Sequence, residues 1–389
     1  MKLNYFSSSH LAAAIAAILV SYGSSAVIVY QAAIAFSATP EQINSWFTSL
    51  GLGCGLLTLA LSLKYKTPIM FAWCTPGAVL MISTTGIPMG EAVMAFIFAG
   101  ALMLAVSLTG FFDRIVALIP RTLASAMLAG ILINFGSRVF TSMESQPILV
   151  MLMLLTYLLS KFRFARYSLL LMLLVGFTYA YLMDLLKLDV LQWQAPTLVW
   201  LEPSFSLQSI ISVGVPLFIT ALVSQNVPGM AILRAYHYET PGKPLVNSSA
   251  LATVLLAPFG AFMINLAAIS ASLTLGKEVD PDPERRYRAN VLMGIFYLVL
   301  AVCGGAVVSL FTALPSELLW ALAGIAIFGT LISNVDTAWS EPSTREASLI
   351  TLLASASGMT LWGIGSAFWG LFLSSAFFSG HPRCSLINQ

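Results

Sequence analysis

Apolar runs long enough to cross a bilayer follow one another along almost the whole chain, and this pattern restricts the fold more than any other feature. A window of about 20 residues, the length a helix needs to span the hydrocarbon core, finds roughly fourteen segments. Seven lie near 11–34, 44–63, 69–84, 91–112, 115–136, 147–160 and 167–186. Seven more lie near 207–233, 245–257, 259–276, 289–313, 315–335, 347–362 and 364–380. With 58% hydrophobic and only 9% charged residues, disorder and an ordinary water-soluble domain are both excluded. The expected partner is therefore the lipid bilayer. The net charge of +2 comes with no basic run interleaved with aromatics, so nucleic acid is not expected. Cys54, Cys74, Cys303 and Cys384 have neither metal nor redox spacing and read as free thiols, and no motif asks for a cofactor.

Charge placement orients the segments. With the N-terminus in the cytoplasm and the spans alternating, all of the eighteen Lys and Arg except Arg138 and Lys187 fall on the cytoplasmic side. Positive charge concentrates on that side of membrane proteins, and a wrong segment count would scramble the partition. An even number of spans with both termini cytoplasmic follows. The stretch 187–206 becomes the longest outer loop and separates two similar halves.

The halves repeat. LVSYGSSAVIVYQA (19–32) resembles LVSQNVPGMAILRA (222–235) at an offset of 203, and IPRTLASAMLAGI (119–131) resembles LPSELLWALAGI (314–325) at 194–195. Seven is an odd number, so the second copy enters the membrane upside down, as in many secondary transporters. The first segment then has a twin in the eighth. That argues against a cleaved signal peptide, although Lys2 followed by LAAAIAAILV has the look of one.

One segment cannot be a continuous helix. In PIMFAWCTPGAVLMIS (68–83), Pro76 and Gly77 interrupt the apolar run. Thr75 stands before them as a helix N-cap does, with proline at the first helical position. The reading is an extended arm over 68–74 and a half-helix over 76–83 that starts at membrane depth. Irregular backbone survives there only if it is buried in protein or lines a cavity. The competing reading is a proline kink in a packing helix. Aligning Pro68 with Pro258, an offset of 190, sets Thr75 on Asn265 and predicts a second capped half-helix aimed at the same cavity.

SQNVPG (224–229), TPGAVL (75–80), AMLAGIL (126–132) and GIGSAFWGL (363–371) look like the bacterial benzoate/proton symporter family, within the nucleobase and sulfate-anion transporter fold. The resemblance covers the chain to about Phe378. It implies an all-α polytopic membrane protein of fourteen transmembrane segments, a 7+7 inverted repeat with broken third and tenth helices. It also implies a core domain from residues 1–112 and 207–313 and a gate domain from 113–186 and 314–389, with 187–206 as the outer linker. Substrate would sit between the domains, and alternating access would come from core moving against gate. The implied function is secondary active import of benzoate or a similar aromatic carboxylate across the bacterial inner membrane with protons, not catalysis. Relatives of this fold often pair through the gate domain, so a homodimer and a monomer are both open.

A benzoate ion needs its carboxylate stabilised and a slot for its ring. A helix N-terminus offers free N–H groups and contributes about 0.3–2 kcal/mol to anion binding. A dry carboxylate costs several kcal/mol or more, so hydroxyls, amides or water must add to two such dipoles. Candidate contacts are Thr75, Pro76 and Gly77 at the first break, where glycine admits close approach, and Asn265, Ala268 and Ser270 at the second. Ser21, Tyr22 and Ser24 on the first helix, and Gln225 and Asn226 on the eighth, complete the set. The serines serve equally as glue between helices. Trp73 either stacks on the substrate ring or packs against a neighbouring helix.

Symport is implied by the resemblance, yet no ionisable residue lies at the centre of a segment, where the default proton carrier would be. Either the substrate brings its proton as the neutral acid, or an edge carboxylate such as Glu317 carries it. The nearest rival is a transporter of another small organic anion or a nucleobase. A channel, a receptor or a polytopic enzyme is more remote. An enzyme would need a catalytic constellation at membrane depth, and no His lies centrally.

Overall fold

The computed structural model describes residues 5–84, 86–109, 120–163, 168–187, 189, 195–267, 270–362 and 364–379, and the fold is mostly helical. The first half runs α1 (Ser8–Ala35), α2 (Pro40–Tyr65), β1 (Phe71–Trp73), α3 (Thr75–Ile82), α4 (Met89–Thr109), α5 (Arg121–Thr141), α6 (Pro147–Arg163) and α7 (Ser168–Leu182). The second half begins with α8 (Leu207–Ala235), α9 (Gly242–Leu256), β2 (Ile264–Leu266), α10 (Tyr287–Val302) and α11 (Gly304–Ala313). It continues with α12 (Ser316–Ala326), α13 (Phe328–Ala338), α14 (Arg345–Ala356), the hairpin β3 (Thr360–Leu361) and β4 (Ile364–Gly365), and α15 (Ser366–Ser379).

Among the described residues, α2, α4, α5, α8 and the joined stretch Ser316–Ala338 are each long and apolar enough to cross a bilayer alone. The α10–α11 pair, bent by 64°, makes a sixth such span. Apolar segments are therefore often built from two shorter helices. The surface is apolar too: Leu159, Phe162, Leu182, Leu255 and Leu353 are all well exposed. Contiguous exposed hydrophobes of this kind suit hydrocarbon rather than water.

Small residues let the helices approach closely. A Cβ on Gly51 would lie 2.7 Å from Cβ of Ala301, and one on Gly55 would lie 3.0 Å from the Gly294 carbonyl. The α2 and α10 backbones thus touch along the Gly51-x-x-x-Gly55 face, a packing mode common in membranes. Helix α4 lies on α9, and α5 on α13 and α14.

The expected extended arm is present as β1. It pairs antiparallel with β2, with Phe71 opposite Leu266, Ala72 opposite Asn265 and Trp73 opposite Ile264. The ladder continues outward as Cys74 N–H donates to the Met263 carbonyl (3.0 Å) and Ala267 N–H to that of Met70 (2.9 Å). Each strand hangs from a threonine of the preceding helix: Phe71 N–H donates to Thr58 Oγ1 (3.0 Å) and Ile264 N–H to Thr253 Oγ1 (2.9 Å). Side-chain acceptors thereby satisfy backbone donors where no water reaches.

This pairing corrects the predicted register. Ala72 and Asn265 face each other at the middle of the ladder, an offset of 193, so Thr75 corresponds to Ala268 and not to Asn265. The alignment on Pro68 and Pro258 was three residues out because prolines in apolar sequence match readily. Asn265 consequently caps no helix and lies inside β2. The helix expected after it is, within the described residues, a short 3₁₀ turn over Ser270–Thr274. Thr75 is likewise not a cap: α3 starts at Thr75 itself, and the preceding Cys74 supplies no side-chain cap bond.

At one end of the molecule α1 is fastened to the loop before α10. Ser7 N–H donates to His10 Nδ1, and His10 Nε2 lies 3.0 Å from Asp280 Oδ2. His10 stands just before the first apolar segment and is almost fully buried. Burial holds its imidazole below the ordinary histidine range, outweighing the opposite pull of Asp280. The folded protein then binds fewer protons than the unfolded chain, so stability is retained above about pH 6.5 and lost as pH falls below it. Thermal unfolding in detergent should show a steeper loss on acidification for wild type than for His10→Gln. Equal slopes would mean that His10 is not the group responsible.

Candidate functional site

A cavity of about 620 Å³ opens where α3, β1, α1, α5, α8 and α13 meet. Its size lies within the range of about 300–1,000 Å³ usual for ligand pockets. Each wall follows from local sequence. Proline has no N–H to give to the carbonyl four residues back, and its ring pushes that carbonyl away. Helix α8 meets this problem twice, at Pro216 and Pro228, and each time the turn before the proline widens. Val215 N–H donates to Ile210 and Val227 N–H to Leu222, both bonds spanning five residues. Such π turns recur at functional sites. The second turn, Leu222–Asn226, carries Ser224 and Gln225 into the cavity wall. Gln225 makes no side-chain hydrogen bond to a described residue, so its amide is available to a ligand. Ser224 spends its hydroxyl on the Thr220 carbonyl (2.5 Å).

Asn226, its neighbour, turns the other way. It is fully buried, its Oδ1 accepts from Leu266 N–H (3.1 Å), and its Nδ2 lies 3.6 Å from Met103 Sδ. Its contacts join α8 to β2 and α4, and it does not line the cavity.

At the start of α3 Thr75 and Pro76 also line the cavity, with the Thr75 hydroxyl unbonded to any described residue. Gly77 does not line it. A Cβ there would come within 2.4 Å of Leu217 Cδ1, so Gly77 serves the contact of α3 with α8. Cys74 is fully buried and also outside the lining.

Trp73 lines the cavity through a fixed cluster. Its indole N–H donates to Ser25 Oγ (3.0 Å), Ser25 donates to the Ser21 carbonyl (2.5 Å), and Ser21 Oγ bonds Tyr297 Oη (2.8 Å). The rings of Tyr22 and Tyr297 stand edge-on to Trp73, at 5.1 and 6.1 Å between centroids. Tyr22 is not itself a lining residue, while its hydroxyl is buried without a partner. Ser21 and Ser25 therefore combine glue with wall.

Asn265 lies behind Ala72, fully buried, its Nδ2 donating to the Ala72 carbonyl (3.4 Å) and its Oδ1 unpaired. Ser270 lines the cavity. Ala268 and the side chain of Ser24 lie outside the described residues. Glu317 is elsewhere, in a separate surface pocket with Arg138 and Trp320, where Ser145 and Ser316 donate to it.

Sequence reasoning missed Arg121, the first residue of α5, which lines the cavity with Ser125 and Leu128. It was counted only as one more cytoplasmic charge. The spacing of 121, 125 and 128 on one helical face was the signal that could have found it. The α13 wall, with Thr330, Ser333, Asn334 and Thr337, was missed as well.

Comparison with known proteins gives the family and the fold. A family model described as "Benzoate membrane transport protein" matches residues 4–379. The chain is 39% identical over 363 residues to "Inner membrane protein YdcO" of Escherichia coli strain K12, covering 93% of each. It is 36% identical over 356 residues to the "Benzoate membrane transport protein" of Acinetobacter baylyi, covering 91% of this chain and 90% of that one. Among solved structures it is similar to the transmembrane domain of a cyanobacterial bicarbonate transporter, BicA, with a TM-score of 0.58, 14% identity, and 96% and 97% of the two chains covered. It is also similar to SLC26A9, with a TM-score of 0.59, 13% identity, and 94% and 64% covered. At such identities the likeness shows a shared fold.

Proposed function

The chain belongs to the benzoate membrane transport protein family, and from that premise we propose that it carries benzoate or a closely similar aromatic carboxylate across the inner membrane. Membership makes it a membrane transporter and not an enzyme. The observation that carries the substrate reading is the cavity, where the start of α3 and the free Gln225 amide face one space. Helix N-termini and neutral donors suit a carboxylate. Trp73, Ile28 and Leu128 supply apolar wall for a ring.

Transport proceeds by alternating access of a core (1–112 and 207–313) against a gate (113–186 and 314–389), in a fourteen-span inverted repeat with both ends cytoplasmic. Its third and tenth spans are the broken ones, at α3 and beyond β2. The packing of α2 on α10 and α4 on α9, apart from that of α5 on α13 and α14, supports this division. The cavity reaches the exposed Arg121, on the side the charge partition assigns to the cytoplasm, which supports an inward-open reading of this conformation. Protons accompany the substrate. Glu317 is a poor carrier because it lies outside the cavity.

Uptake of labelled benzoate into proteoliposomes, with and without a pH gradient, tests the proposal; no accumulation above protein-free liposomes would end it. A cysteine at the cavity adds a local test. Thr75→Cys, in a background where Cys74 is replaced by Ala, should react with a permeant thiol reagent, and benzoate should slow the reaction several-fold. An unchanged rate would place the anion away from α3.

A further inference from the structure

We propose that Arg121 is the specificity residue of the cavity: its fixed positive charge makes the site select a carboxylate over the neutral acid or amide of the same shape. The inference rests on the proposed function and adds the charge that the start of α3 and the neutral donors leave wanting.

Arg121 is the one ionisable side chain among the described residues that line the cavity. The other walls offer serine, threonine, asparagine and glutamine, which bind charged and neutral ligands alike. Among the described residues Arg121 also has no counter-ion. The acid–base contacts among the described residues are the ion pair Arg285–Asp282 and the approach of the imidazole of His10 to Asp280. Other arginines are engaged: Arg138 stacks on Trp320 at 4.6 Å, Arg286 donates to the Asp280 and Leu275 carbonyls, and Arg288 stacks on Tyr5 at 4.4 Å. No described residue engages the fork of donors of Arg121, which matches a carboxylate in two parallel bonds.

Its position sharpens the point. Arg121 opens α5, after Pro120, with no side-chain cap and no acidic residue in the first turn. The start of a helix is its positive end and prefers an anion, so a cation there is electrostatically misplaced on its own. An incoming carboxylate would answer both the guanidinium and the free N–H groups. One turn further in, buried Ser125 adds a hydroxyl that no described residue uses, and Leu128 follows. The α5 face thus runs from charge to hydroxyl to hydrocarbon, which suits a benzoate ion with its carboxylate at Arg121 and its ring further in. A cation here also favours the ionised substrate, so the transported proton travels separately from the carboxylate while Arg121 holds it.

Wild type, Arg121→Gln, Arg121→Lys and the control Arg138→Gln should be compared for labelled benzoate uptake in proteoliposomes, with unlabelled benzoate and neutral benzamide as competitors. Loss of one charge-assisted contact predicts that Arg121→Gln raises KM about tenfold and reduces the preference for benzoate over benzamide by a similar factor. Arg121→Lys should recover part of both, and Arg138→Gln should match wild type. Wild-type KM should rise with ionic strength, a reading that needs no variant. Wild-type KM and discrimination in Arg121→Gln, or a salt-independent wild-type KM, would overturn the role of Arg121 alone. A wild type that takes up no benzoate would overturn the proposed function and this inference together.

Discussion

Replacing Gly294 by leucine is expected to leave little or no folded transporter. A Cβ at this position would lie 2.8 Å from the Leu59 nitrogen and 3.0 Å from the Gly55 carbonyl, so the obstacle is backbone and cannot swing aside. Gly51 and Gly55 make the reciprocal approach from α2. Overpacking a core commonly costs about 1–3 kcal/mol even where side chains can rearrange. Here α2 and α10 would have to separate along their contact, and α2 also suspends β1 through Thr58. Set against a net stability of about 5–15 kcal/mol, a shift of that extent threatens the whole fold. Size-exclusion chromatography of the detergent-extracted protein reads the outcome. Gly136→Ala is the control, because a Cβ there meets its neighbours only at 3.8 Å or more. A monodisperse Gly294→Leu protein with wild-type thermal stability would show that the close approach of α2 and α10 is dispensable.

Adjacent amides should behave in opposite ways. Gln225→Ala is expected to weaken benzoate binding about tenfold while leaving stability within about 0.5 kcal/mol, because the amide faces the cavity and bonds no described residue. Asn226→Ala strips the acceptor from a fully buried N–H of Leu266. An orphaned buried donor costs about 1–3 kcal/mol, and the end of β2 loses its tie to α8. Asn226→Ala should therefore melt earlier and bind poorly as a consequence. Thermal unfolding and equilibrium benzoate binding, measured on the same detergent preparations, separate the two. If Gln225→Ala melts early while Asn226→Ala binds poorly at wild-type stability, the two side chains have been given the wrong duties.

What the sequence revealed and concealed can be traced to individual residues. Pro76 and Gly77 announced the interruption before α3 because their backbone demands are local. The pairing partner of that arm was harder. Apolar stretches resemble each other at many offsets, and three residues of slippage were enough to put Asn265 where Ala268 belongs. The orientations of Gln225 and Asn226 were hidden for another reason. A π turn inserts one residue into the helical count, so a period of 3.6 no longer says which of two neighbours faces which wall. Arg121 was concealed by success: the rule that places positive charge in the cytoplasm had already accounted for it. Membership of the family was legible from SQNVPG and GIGSAFWGL, since sequence similarity does not depend on knowing the register.

The short ladder between β1 and β2 has a consequence for how the protein is made. Its partners stand 193 residues apart, so the first arm must wait at membrane depth, with backbone groups unpaired, until the ribosome has delivered Ile264–Leu266. Closing so long a loop is slow, and unsatisfied amides in hydrocarbon are costly in the meantime. The cavity is therefore completed late, after β2 has closed the ladder and the α13 wall has followed. A nascent chain arrested before β2 has every residue of α3 and α5 and still lacks the ladder and the α13 wall of the cavity.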